Sequence, residues 1–91
     1  MTQLVEVYKI GNEYRLREIY VNPEHIVAMR QDSRMSGRLE EGQLPHDLDE
    51  MQEFTKLYLD RGQLGIDVSV IGDLQSIKGK LGLDKKTLLK G

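Results

Sequence analysis

His46-Asp47-Leu48-Asp49-Glu50 sets one imidazole and three carboxylates within five residues. A divalent cation needs such ligands to converge on one point. Behind Pro45 the same residues read as the first turn of a helix, where proline is tolerated and acids complement the dipole, and there they fan into solvent. The other histidine, His25, follows Asn22-Pro23-Glu24 at a corner and brings no further ligand with it. Ser33, Ser36, Ser69 and Ser76 could act as nucleophiles, but none sits in a Gly-x-Ser-x-Gly elbow or in order with a histidine and an acid. Adjacent acids such as Glu40-Glu41 are commonplace in a chain that is 31% charged, and say little about acid–base catalysis. No Gly-x-x-x-x-Gly-Lys-Ser/Thr loop occurs, and Gly62-Gln63-Leu64-Gly65 reads as a hairpin connection rather than a phosphate cradle. The absence of cysteine removes disulfides, thiol catalysis and zinc–thiolate sites, and fits a reducing cytoplasm. The chain is therefore expected to be non-enzymatic, with no catalytic, metal or cofactor residues; a small hydrolase or metal binder is the third reading.

Charge is segregated along the chain. Glu40, Glu41, Asp47, Asp49, Glu50 and Glu53 form an acidic run without lysine or arginine. Lys78, Lys80, Lys85, Lys86 and Lys90 crowd the last stretch against Asp84 alone, and Arg15, Arg17, Arg30, Arg34 and Arg38 form a basic group in the first half. Ordinary solvated faces are the plain reading, with lysines completing a helix C-terminus. The functional reading is a docking surface that steers a protein partner or a second copy. Its candidate residues are Arg15, Arg17, Arg30, Glu40, Glu41, Asp47, Asp49, Glu50, Glu53, Lys78, Lys85 and Lys86. A nucleic-acid-associated regulator using the first-half arginines is the alternative. It is weakened by a net charge of −2, and by Tyr14 and Tyr20 alternating to the face opposite Arg15 and Arg17.

These residues need a scaffold, and 91 residues make one domain with one small core. With one Phe and no Trp, that core must be built of Leu, Ile and Val. The opening residues carry neither a basic stretch nor an apolar one, so no signal peptide is expected, and no apolar run is long enough to span a bilayer.

Leu4–Ile10 alternates as a strand, with Leu4, Tyr8 and Ile10 interrupted by Glu6 on one face and Val5 and Val7 on the other. Gly11-Asn12 is a hairpin signal, and Tyr14–Val21 returns. Proline lacks an N–H and fixes φ, so Asn22-Pro23 forces a corner before a third strand at Ile26–Arg30. Gln31 to Glu53 reads as an excursion: a loop over Gln31–Gly42, expected to be the most mobile part, then a short helix over Pro45–Phe54 that could lie on the sheet, since Leu44, Leu48 and Met51 recur at helical spacing. Phe54–Leu59 and Ile66–Ile71 pair through Asp60–Gly65. Ile66, Val68 and Val70 share one face, while Asp67 and Ser69 mark the other as wet. Asp73 caps a helix with a stripe of Leu74, Ile77 and Leu81, Gly82 suits its C′ position with Leu83 as the closing contact, and Asp84 starts a last turn holding Leu88 and Leu89.

This order predicts an α+β fold: a small, mostly antiparallel sheet or SH3-like, partly open barrel of about five strands with a C-terminal helix. Tyr20-Val-Asn-Pro-Glu-His-Ile26, the later hairpin, Val70-Ile-Gly-Asp73 and the helix ending at Leu81 resemble the small flagellar and swarming-motility regulatory proteins. The resemblance runs from Glu18 to Leu81, broken by the excursion, which that family lacks. It implies a non-enzymatic regulator. The length and composition suit a bacterial or phage protein.

The expected core is Leu4, Ile10, Ile19, Val21, Ile26, Phe54, Leu57, Leu59, Ile66, Val68, Val70, Leu74, Ile77 and Leu81. Phe54 is out of phase with Leu57 and Leu59, and the expectation favours the two leucines for the buried side. The first strand and the strand after the corner are the expected sheet edges. A homodimer is expected through one of them or through the Tyr14/Leu16/Tyr20 face.

Overall fold

The computed structural model describes residues 1–61 and 64–83. They form a small α+β fold: β1 (Thr2–Ile10), β2 (Glu13–Val21), a 3-10 turn (Pro23–His25), β3 (Ile26–Gln31), α1 (Ser33–Glu40), β4 (Phe54–Arg61), β5 (Leu64–Ile71) and α2 (Leu74–Leu81). The strands make one antiparallel sheet in the order β2-β1-β5-β4-β3.

Local signals build the turns. Gly11, at φ 59°, lets β1 fold back on β2 with Ile10 opposite Glu13. The Asn22 side chain accepts the Glu24 N–H at 3.0 Å and caps the turn that Pro23 begins. Asp73 caps α2, and Gly82 ends it in the left-handed region. The N–H of Leu83 reaches the carbonyl of Lys78 and that of Gly82 the carbonyl of Gly79, a Schellman closure in which Leu83 packs on the core. The turn expected at Asp84, with Leu88 and Leu89, lies outside the described residues, as do Gly62 and Gln63.

The sheet is curled. β2 and β3 are its two edges, and a flat sheet would hold them about 19 Å apart, four strand spacings of ~4.8 Å. Val21 and Ile26 are joined through a 3-10 turn that advances only ~2 Å per residue, too short a path for that distance. The ladder is shortest where β1 meets β5: Glu6 pairs with Val70 and Val7 with Ser69. Curling brings Val21 of β2 into one cluster with Leu4, Leu57, Val70, Ile77 and Leu81, under α2.

Both faces of the sheet are covered. The second carries Val7 and Phe54, buried with Leu44 under Met35 and Leu39 of α1 and under Leu48. Phe54 and Leu57 are therefore both fully buried, on opposite faces, and no choice between them is required. Ser69 is buried too, its hydroxyl satisfied by donating to the Asp32 carboxylate; the expected wet face is partly dry.

Three further expectations are corrected. The helix of the excursion occupies Ser33–Glu40, while 45–53 holds only turns, with Met51 81% exposed. Asp32 decides this: its Oδ1 accepts the Met35 N–H at 3.1 Å, and Met35 and Leu39 then face the sheet. Next, β1 is not an edge; it lies between β2 and β5. Finally, Ile10 is 52% exposed at the hairpin end, and Ile66 is also exposed, so neither joins the core.

Candidate interaction surface

Arg15 and Arg17 project from β2 on the α2 side of the sheet, and both are engaged. The Nε of Arg17 donates to Oε1 of Glu6 at 2.8 Å, and Arg15 pairs with Glu13 at 2.8 Å. Each guanidinium is held above its ordinary pKa, chiefly by the hydrogen bond to its glutamate. Tyr8 of β1, one strand over, shares the Arg17 face and lies 4.0 Å from its guanidinium. Tyr14 and Tyr20 alternate away, as the strand period requires. Tyr14 and Leu16 are half-buried beneath α1 and its following connection, with Lys9 and Arg38 at 5.5 and 6.0 Å from the Tyr14 ring. The face expected to carry a dimer is thus occupied from within, and only Tyr20 stays exposed.

The acidic candidates do not converge. Glu40, Glu41, Asp47, Asp49, Glu50 and Glu53 are all exposed, strung from the end of α1 to the start of β4. Asp49 turns back to accept the Met51 N–H at 2.8 Å, and Glu41 and Glu53 accept from Gln43 and Gln31. Among the described residues no three His, Asp or Glu side chains gather as metal ligands would. Lys78 sits on α2, on the other face of the sheet from this acidic connection, so the two charge groups do not meet. Lys85 and Lys86 lie outside the described residues.

Two features that only the fold assembles remain. The first is the β3 edge. Ile26 pairs with Leu59 and Ala28 with Tyr58, so Val27 is a bulged, unpaired residue, and it is 67% exposed. Between β3 and α2 runs a groove of about 310 Å³ whose walls include Val27, Met29, Leu74 and Leu83, with Lys78 at its rim. The curled sheet also leaves a recess of about 720 Å³ between β2 and the β4–β5 hairpin. It is walled by Ile19, Val21, Leu59, Ile66 and Val68, which explains why several expected core residues are only half-buried.

The second feature is a cluster of cations on the α1 side. Arg30 stands directly across the β3–β4 ladder from Lys56, and Arg34 from the first turn of α1 lines the same depression of about 490 Å³. Lys56 had no signal in the sequence, because its place opposite Arg30 exists only once the register is set.

Comparison with known protein families, with curated proteins and with solved structures finds no match. Among the described residues, no helix is long and apolar enough to cross a membrane.

Proposed function

We propose that the chain is a small non-enzymatic interaction module on an SH3-like, partly open barrel, and that it takes an extended, acidic segment of a partner protein as an added strand on β3. One observation carries this reading: an apolar edge strand, with Val27 67% exposed, runs beside an apolar groove. In strand addition the main chain supplies the affinity and alternate side chains enter the neighbouring groove for specificity. The bulge at Val27 discourages indiscriminate pairing and leaves Ala28–Gln31 regular. Lys78 on the groove rim and Arg30 on the strand favour an acidic segment over a basic one. A regulatory role, of the kind the motility-protein resemblance implies, belongs to the same proposal.

A second copy is the other occupant that the edge admits, pairing β3 with β3 across a two-fold axis. The exposure of Val27 and Ala28 favours this as the route to self-association.

Selection from a random peptide library tests the reading. Enriched peptides should be acidic with alternating apolar residues, and should shift the amide signals of residues 26–31 and 74–83. Val27→Lys and Leu74→Lys should abolish both this binding and any dimer seen by light scattering. Peptides that map instead to the recess between β2 and the β4–β5 hairpin would refute it.

A further inference from the structure

Arg30 and Lys56 are partners in the β3–β4 ladder, and like charges directly opposite in a sheet are destabilising. Arg34 adds a third cation to the same depression. Among the described residues the ion pairs are Arg15–Glu13 and Arg17–Glu6, so none of the three has a carboxylate within pairing distance. Asp32 lines the depression, but it is buried and both of its oxygens are committed: Oδ1 to the Met35 N–H and Oδ2 to the Ser69 hydroxyl. The Arg30 guanidinium lies 5.5 Å from the Tyr58 ring centroid, which restrains it beside Lys56. Three cations from three separate elements thus line one depression, where Asp32, the one carboxylate among its described lining residues, offsets part of their charge without forming an ion pair.

We propose that this depression is an oxyanion site for a phosphomonoester. A phosphomonoester carries close to two negative charges at neutral pH and three acceptor oxygens, which suits two guanidinium forks and one ammonium lining the same depression. A single carboxylate would leave much of the positive charge unanswered. A nucleic-acid strand would fit the immediate cluster but not its border, where Glu53 accepts a hydrogen bond from Gln31 at 3.3 Å, nor a chain of net charge −2. The site lies on the α1 side of the sheet, away from the groove beside α2, and stands whether or not β3 accepts a partner strand.

Titration of the full chain, followed by amide NMR, tests the site with O-phosphoserine, inorganic phosphate, sodium chloride at matched ionic strength and a short oligothymidylate. The phosphate compounds should give saturable shifts at Arg30, Ser33, Arg34 and Lys56 that chloride does not reproduce. Tighter binding of O-phosphoserine than of inorganic phosphate supports the monoester, and tighter binding of inorganic phosphate would overturn it. Lys56→Gln and the exposed Arg34→Gln should each weaken binding by about tenfold. In chloride, Lys56→Gln should melt no lower than the parent, since it removes a like-charge pair. Binding unchanged in Arg34→Gln, or shifts spread without saturation over Lys9, Lys78 and Lys80, would overturn the site. Tighter binding of oligothymidylate than of either phosphate compound would overturn the choice of ligand.

Discussion

The Arg17 guanidinium reaches across the β1–β2 ladder to hold Glu6, its Nε 2.8 Å from Oε1, while its flat face rests 4.0 Å from the Tyr8 ring centroid. Glu6 lies on a central strand with its side chain 11% exposed, whereas that of Arg17 is 55% exposed. One partner is thus buried and the other wet, an asymmetry that sets the cost of breaking the pair.

Arg17→Ala should lower the urea midpoint clearly, because it leaves the Glu6 carboxylate in a partly dry site without its partner. Arg15→Ala should leave the midpoint unchanged, since both side chains of the Arg15–Glu13 pair are mostly exposed. Equal effects of the two substitutions would contradict this account.

The pH dependence should show the cap of α2. The hydrogen bonds from Ser76 hold the Asp73 carboxyl below its ordinary pKa of 3.8. A group depressed on folding stabilises the fold above the unfolded pKa, and that contribution fades as pH falls through the folded value. Stability should therefore drop below about pH 4, and Asp73→Asn should flatten that part of the profile while keeping the cap. Denaturation series at pH 7 and pH 3.5 provide the comparison.

Two glycines should respond in opposite directions to alanine. Gly37 is within α1, with nothing inside 4 Å of an added methyl group, so Gly37→Ala should stabilise by about 0.5–1 kcal/mol. Gly72 has φ +133°, and its methyl group would meet Cδ1 of the fully buried Ile77 at 2.8 Å. Gly72→Ala should cost about 1–3 kcal/mol through strain and overpacking. Thermal melts of the two variants suffice.

Ser69→Ala should cost about 1–3 kcal/mol, since it leaves a buried oxygen of Asp32 without its donor. The double variant Asp32→Asn/Ser69→Ala should cost less than the sum of the single ones, because the two side chains serve one contact. Additive losses would mean that the two residues act separately.

The parts of the fold that were legible in the sequence are those decided within a few residues. Gly11, the Asn22-Pro23 corner, Asp73 and Gly82 each act on their own neighbours, and the turns and caps fall where those residues stand. The α1 helix was not legible, because Ser33, Ser36 and Gly37 argue against a helix locally; the Asp32 cap and the docking of Met35 and Leu39 outweigh them. Strand order was hidden for a related reason. Nothing near Glu6 and Val7 announces that their second neighbours are Val70 and Ser69. The candidate sites suffered most. Arg30 was visible as a charge, but its meaning comes from Lys56 across the ladder and Arg34 on the helix.

The central seat of β1 has a kinetic side. During synthesis the β1–β2 hairpin emerges early and can zip at once, as can β4–β5 later, but the seam between them cannot close until Ser69 and Val70 have left the ribosome. Until then the nascent chain holds Leu4 and Val7, buried in the finished fold, without their final neighbours. Such long-range closure slows folding relative to its local hairpins and exposes apolar strand edges while it waits. The early-made strand thus waits for β5, whose arrival sets the earliest point at which the seam can close.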